Sequence, residues 1–178
     1  MRLGVILYGP PAAGKDTVTA ALATLDAKYR PFPRLKLGGG RTFGYRIASD
    51  AQIAELRNRD QIIWENSRYD AAYFVDRAFL WSELNSGVPV LHLGQSAAIK
   101  AVRGAFNEVV WLCVYLWCPR EVAASRIVAR GTGDTEARLA AWDATEAIEA
   151  DVTLNTAVTA PDEAARLIDG AACDLTTC

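Results

Sequence analysis

Gly9-Pro10-Pro11-Ala12-Ala13-Gly14-Lys15 carries the densest chemical signal in the chain. Its G-x-x-x-x-G-K spacing follows an apolar run, Leu3–Tyr8, and opens a helical pattern from about Lys15 to Lys28. Small residues between a strand and a helix let successive backbone N–H groups converge on phosphate oxygens, and the helix N-terminus adds partial positive charge. A lysine closing such a loop reaches the β- and γ-phosphates of a nucleoside triphosphate. Asp16 stands where serine or threonine normally holds the accompanying Mg2+, with Thr17 one step later. Two readings stay open: Thr17 takes the metal, or Asp16 acts on it through water, since a carboxylate directly against triphosphate is repulsive. An acid in a first helical turn is also favoured by the helix dipole alone.

Three further groups have types suited to phosphate chemistry. Arg126 and Arg130 stand four apart, so on a helix they share a face and can converge, and Arg138 follows. Arginine near a helix C-terminus is also favoured by the dipole. Arg34, Lys36 and Arg41 fall in a stretch rich in Gly, Pro and Arg, and Glu65, Tyr69, Asp70 and Tyr73 cluster further along. Aromatic residues there pack a core as often as they touch a ligand. His92, the single histidine, is expected to pack or hydrogen-bond within a sheet rather than catalyse, near that sheet's ligand-binding end. Trp64, Trp81, Trp111, Trp117 and Trp142 read mostly as core.

Short apolar runs alternating with helical patterns must position these groups. Leu3–Tyr8, Val88–Leu93 and Val109–Trp117 read as buried strands, and Asp151–Thr156 as a short final one. Pro119 fits the first turn of a helix ending at Arg130, where Gly131 stops it. Asp134 to about Ala150 is an Ala-rich helical stretch, and Pro161–Asp169 is a last helix. Pro31–Ser49 suggests turns and short strands, Ser49-Asp50 caps a helix to about Arg59, Gln61–Tyr69 reads as a strand, and Val75–Asn85 as a helix. The pattern predicts a parallel sheet covered on both faces, with 31–73 as an insertion into one domain spanning 1–178.

Composition limits the alternatives. The 178 residues are 51% hydrophobic and 22% charged, which excludes a disordered chain and allows one full core without cross-links. Nineteen Lys and Arg against 21 Asp and Glu give a net charge of −2, without the basic excess of a nucleic-acid binder. Cys113, Cys118, Cys173 and Cys178 have neither a disulfide pattern nor the neighbours for a zinc site, so free thiols in a reducing cytoplasm are expected. Leu3–Tyr8 is too short for a secretory leader, and no apolar run reaches the length of a membrane span.

The loop GPPAAGKDT resembles those of nucleoside-monophosphate kinases, and the rest of the chain is most similar to the guanylate kinase superfamily. Tyr45-Arg-Ile-Ala-Ser49 resembles its Y-x-F-V-S, and Trp64 the Trp of its E-W segment. Tyr73, Gly87 and Val90-Leu91 keep its spacing from a substrate-binding Tyr to the next strand. Arg126-Ile-Val-Ala-Arg130-Gly131-Thr132 resembles the lid motif R-L-x-x-R-G-T, Arg138-Leu139 the later R-L pair, and Asn155 the Asn of the terminal V-x-N strand. The loop and the lid motif are the specific part of this likeness.

The resemblance implies a P-loop NTPase fold: a three-layer α/β sandwich with a parallel sheet, an inserted acceptor-binding subdomain at 31–73 and a lid at 131–140. It implies that ATP and Mg2+ bind at Gly9, Pro11, Ala12, Ala13, Gly14, Lys15, Asp16 and Thr17, with Arg126 against the adenine and Asn155 nearby. Lys15, Arg130 and Arg138 would act on the transferring phosphate, while Arg34, Lys36, Arg41, Glu65, Tyr69, Tyr73 and Gln95 would meet the acceptor. Family members carry L-D-I-D where this chain has Leu91-His92-Leu93-Gly94-Gln95, and an acid where it has Ile63. Guanine's N1–H and N2–H2 donors call for such carboxylates, which argues against GMP. Gly94-Gln95-Ser96-Ala97 is closer to the N-G-S-R segment of ribose 1,5-bisphosphate phosphokinases. The expected activity is ATP-dependent phosphoryl transfer to a phosphorylated small molecule: a nucleotide, a nucleotide-like metabolite or a sugar phosphate. The alternative is a guanylate-kinase-like binding module that has lost catalysis and recognises a protein or nucleotide.

Overall fold

The computed structural model describes residues 1–68 and 70–176, so Tyr69, Thr177 and Cys178 lie outside the described residues. Five parallel strands form the main sheet in the order β2 (Tyr29–Pro31), β7 (Val88–Leu93), β1 (Arg2–Tyr8), β8 (Val109–Trp117) and β9 (Val152–Asn155). Parallel strands are covered on both faces, which is why β8 reads as an unbroken apolar run. Alternate residues of β1 serve opposite layers. Val5 and Leu7 pack with Val18 and Leu22 of α1 (Lys15–Leu25) and with Ala164, Ala165, Ile168 and Ala172 of α7 (Pro161–Thr176). Ile6 and Tyr8 pack with Leu80 and Leu84 of α3 (Arg77–Ser86) and with Ala98, Ile99 and Val102 of α4 (Ser96–Ala105). The result is the expected three-layer α/β sandwich.

A second, four-stranded sheet has the order β4 (Arg46–Ile47), β3 (Leu35–Gly38), β6 (Ala71–Asp76) and β5 (Ile62–Arg68). Its strands lie within the inserted stretch and run three residues past 73, while Pro31 closes β2 of the main sheet. One face packs Leu35, Phe74 and Ala48 under Ile53 of α2 (Asp50–Asn58). A reciprocal Ser49–Gln52 capping box starts α2 at the predicted place.

Four elements depart from the sequence pattern. Ala71–Asp76 is a strand, where the pattern carried Val75 and Asp76 into the following helix. Tyr73, Phe74 and Val75 suit a pleated surface, and Asp76 is buried and bound by the Arg46 guanidinium. Helix α4 was not anticipated; Ala98, Ile99 and Val102 form its buried stripe. Helix α6 (Thr135–Asp143) stops well before Ala150. Beyond it the chain runs back to the main sheet, where the Glu146 carbonyl accepts from the Tyr8 hydroxyl at 2.7 Å, and Ile148 and Ala150 join the core. These anchors outweigh local helix propensity. Helix α7 continues seven residues beyond Asp169, and Ala172 is buried in the core shared with α1.

Helix α5 (Arg120–Arg130) starts after Pro119 and ends on Gly131 in the left-handed region (φ 62°), as the sequence predicts. Its Ala123 and Ile127 pack with Ala12, Cys118, Leu139 and Trp142, so the turn after β1 and helices α5 and α6 share one small core. Cys113 and Cys118 are buried thiols, and no disulfide occurs among the described residues. No described helix is long and apolar enough to cross a membrane.

Candidate active site

The turn from Gly9 to Gly14 leaves the C-terminal end of β1 and delivers Lys15 to the first turn of α1. Two of its glycines are required by geometry. A Cβ on Gly9 (φ 150°) would lie 2.0 Å from the Leu116 carbonyl oxygen, and Gly14 caps α1 at φ 84°. Ala12 also has positive φ, 62°, a conformation that costs a residue with a side chain about 1–3 kcal/mol unless its surroundings hold it. They do: Ala12 is buried, and its carbonyl accepts from the Arg126 guanidinium at 3.1 Å. The same guanidinium donates to the Thr156 hydroxyl at 3.0 Å and the Thr156 carbonyl at 2.7 Å. Arg126 therefore braces the loop against the turn that follows β9. Asn155 shapes that turn, its side-chain oxygen accepting from the Ala157 amide at 3.0 Å. Pro11 and Ala13 complete the loop, with Ala13 fully buried and its amide on the Pro10 carbonyl.

Lys15 folds across its own loop, donating to the Gly9 carbonyl at 2.6 Å and the Pro10 carbonyl at 2.8 Å. Burial, with the charges of Arg34, Arg130 and Arg68, lowers its ammonium to about 7 against the opposing pull of Asp16. An anion in this position would relieve both effects.

Asp16 lies half-exposed between the loop and the insertion. His92 Nδ1 stands 3.4 Å from one carboxylate oxygen and Arg41 3.6 Å from the other. The hydrogen bond from His92 outweighs desolvation and, with the charges of His92, Arg41 and Arg130, holds the Asp16 carboxyl well below the usual range. Burial lowers the His92 pKa, and Thr19 Oγ1 lies 2.6 Å from its Nε2. A neutral ring with its proton on Nδ1 satisfies both partners: it donates to Asp16 and accepts from Thr19. The histidine packs at the sheet as expected, but its hydrogen-bond partners Thr19 and Asp16 belong to α1.

Thr17 is exposed on the first turn of α1. Among the described residues no three His, Cys, Asp or Glu side chains converge to hold a metal. Mg2+ needs no such cluster, since it takes one or two protein ligands and fills its shell with phosphate oxygens and water. The Thr17 hydroxyl and the Asp16 carboxylate are the groups beside Lys15 able to serve it.

Arg130, exposed at the end of α5, acts on both Lys15 and Asp16. Arg138 lies on α6, and its Nε donates to Asp134 one turn back at 2.7 Å. On the insertion, Arg34 stands 5.2 Å from the Tyr73 ring and 6.0 Å from the Tyr45 ring, and those rings are 5.3 Å apart. Lys36 is buried and donates to the Gly39 and Arg41 carbonyls, so it holds the glycine-rich loop rather than facing open solvent. Gln95 is the half-buried N-cap residue of α4, at the end of β7. Tyr69 lies outside the described residues.

Glu65 is not brought to this cluster. It pairs with Phe74 on the sheet face covered by α2, where Arg57 donates to it at 2.8 and 3.1 Å. A cleft of about 390 Å3 borders it there, and one of about 440 Å3 lies between Arg103, Trp111 and Asp151; neither includes loop residues. Leu93, at a family carboxylate position, is core. Sequence reasoning passed over Arg68, whose charge reaches Lys15, and Thr156, which braces the loop. Arg68 shares a face of β5 with Trp64 and Asn66, a signal that needs its partner strand β6 to be recognised before it says which face is meant.

The architecture is similar to that of solved P-loop kinases. A guanylate kinase from Anaplasma phagocytophilum superposes with a TM-score of 0.61 at 16% identity, over 95% of this chain and 83% of its own. A gluconokinase from Sinorhizobium meliloti 1021 gives 0.57 at 15% identity, over 97% and 92%. A sugar kinase from Janibacter sp. HTCC2649 gives 0.53 at 14%, over 99% and 96%. No protein-family model and no curated protein matches the chain. At these identities the likeness carries the fold, which is the guanylate kinase-like P-loop fold that the motifs implied.

Proposed function

We propose that this chain is a cytoplasmic ATP-dependent kinase that transfers the γ-phosphoryl group to a phosphate of a small acceptor. The carrying observation is Lys15 at the mouth of an intact phosphate loop, donating to the Gly9 and Pro10 carbonyls, with the charges of Arg34, Arg130 and Arg68 lowering its pKa. Phosphoryl transfer is mainly positioning and neutralisation of charge spread over phosphate oxygens, and these cations would contribute to both. Loop amides and Lys15 would hold the triphosphate, with Thr17 or Asp16 serving the Mg2+ that neutralises its β- and γ-oxygens. Arg130 would move onto the transferring group as Arg138 and the 131–140 segment close and exclude water. A phosphate oxygen of the acceptor bonds to the γ-phosphorus, the bond to the β–γ bridging oxygen breaks, and ADP leaves with the electron pair. An acceptor phosphate is already ionised at pH 7, so the step needs no dedicated base. Arg34, Arg41, Tyr73 and Gln95 would meet the acceptor.

The deciding experiment is a transfer screen with labelled ATP against nucleoside monophosphates, sugar phosphates and ribose bisphosphate. Transfer to one of them supports the reading. ATP binding with no transfer to any supports a binding module instead. GMP is expected to be a poor acceptor, with kcat/KM below about 10⁵ M⁻¹s⁻¹. Leu93 is buried core and Glu65 is held by Arg57, so neither position offers guanine a carboxylate. Each unpaired donor costs about 1–3 kcal/mol. Turnover of GMP at or above that rate would remove the claim.

Nucleotide binding should also take up a proton. Lys15 titrates at about 7 without ligand, and triphosphate favours the ammonium and raises it. Above pH 7 the free protein carries the neutral amine and the complex the charged one, so affinity for ATP falls as pH rises, by up to about tenfold per unit. Calorimetry near pH 8, in buffers of different ionisation enthalpy, should register uptake of about one proton. A buffer-independent heat would contradict this role for Lys15.

A further inference from the structure

Asp16 is held from two sides. His92 Nδ1 stands 3.4 Å from its Oδ1, and Nη1 of Arg41, which belongs to the inserted stretch, stands 3.6 Å from its Oδ2. Arg41 sits on the loop between β3 and β4, and a buried lysine anchors that loop. Lys36, 2% exposed, directs its ammonium at the Gly39 carbonyl and, at 2.8 Å, at the carbonyl of Arg41 itself. Arg41 Nε donates to the Phe43 carbonyl at 3.1 Å, so the guanidinium is fixed as well as its backbone. An ammonium is costly to bury unless it is paired or hydrogen-bonded, and here its bonds go to setting one loop. That loop carries a positive charge from the insertion to the acid in the first turn of α1.

We propose that Arg41 is the counter-charge that lets this phosphate loop carry an acid at position 16: it neutralises Asp16, so that triphosphate binds beside a carboxylate, and Thr17 is left to serve the Mg2+. This rests on the kinase reading above. The two side chains are 55% and 52% exposed, so the pair adds little to the stability of the resting fold. Its effect falls on an incoming anion. Triphosphate and an unpaired carboxylate on the same helical turn repel each other, and the repulsion grows as binding drives water from between them. Arg41 thus acts on the nucleotide through Asp16 and is a positioning residue on that side. A guanidinium has five N–H donors, so those not turned to Asp16 or Phe43 can still meet an acceptor phosphate.

The β,γ-imido analogue of ATP is titrated, with and without Mg2+, into the wild type, Arg41→Ala, Asp16→Asn and the double variant. Arg41→Ala should weaken binding of the Mg2+ complex by about tenfold, and Arg41→Lys by less. Asp16→Asn removes the charge that Arg41 neutralises, so the double variant should bind within about twofold of Asp16→Asn alone. A purely structural role for Arg41 would give no such rescue. Arg41→Gln carries the same expectation and keeps the stem if the alanine variant does not fold. Unchanged affinity in a folded Arg41→Ala or Arg41→Gln protein overturns the proposal. So does a loss that persists in the Asp16→Asn background, since Arg41 would then touch the nucleotide itself. Loss of the Mg2+ dependence in Asp16→Asn also overturns it, because the carboxylate would then be the metal's ligand. Failure of the wild type to bind the analogue overturns the kinase reading instead.

Discussion

Lys15→Ala should reduce phosphoryl transfer by about 10³-fold or more while leaving the fold intact. Lys15 makes its two hydrogen bonds to carbonyls of its own loop. Burial already disfavours its charge in the ligand-free protein, so alanine removes a cost as well as two hydrogen bonds. In the transferring state the balance reverses, because the same ammonium meets the developing charge on the phosphate. Circular dichroism and thermal unfolding should match the wild type, and activity should not. A folded variant that keeps most of its activity would refute the phosphate-loop assignment.

Arg130→Ala should lower kcat by about 10²–10³-fold with little change in ATP affinity. Arg130 is exposed at the end of α5, and its charge reaches Lys15 and Asp16. A side chain so placed contributes little to the resting fold and is available for a geometry formed only on closure. Arg138 is different: Asp134 holds it, and that pair must rearrange before the guanidinium can reach phosphate. Steady-state kinetics of both variants, with nucleotide affinity measured separately, distinguish transfer-state contacts from ground-state binding. Higher ATP KM with unchanged kcat in Arg130→Ala would make it a binding residue.

The phosphate loop was legible because its requirements are local: a strand, small residues, two glycines and a lysine lie within fifteen positions. Helix α5 was legible for the same reason, with Pro119 and Gly131 marking its ends. The insertion was harder. Ala71–Asp76 gains its identity from pairing with both β3 and β5, which no local pattern encodes. With β6 unseen, Arg68 had no assigned face, and Glu65 looked as available as Tyr73 although alternation sends them to opposite sides. Helix α6 was overextended because alanine propensity continues where the anchors of Glu146 and Ile148 take over. Arg126 was expected against the adenine, whereas its bonds to Ala12 and Thr156, which brace the loop, join segments that only the folded chain brings together.

That brace fixes an order of events during synthesis. The loop motif is complete once Lys15 has been added, yet Ala12 takes a strained backbone whose partner Arg126 lies 114 residues further along, and Thr156 another 30 beyond. At a translation rate of about 5–20 residues per second, the ribosome needs roughly 5–25 s between the first and second of these. A nascent chain therefore displays the phosphate-binding sequence long before it owns the contacts that shape it. On the proposed function, nucleotide capture would be a late property of the molecule, acquired after most of the main sheet has emerged, and ATP would report the completeness of folding rather than initiate it.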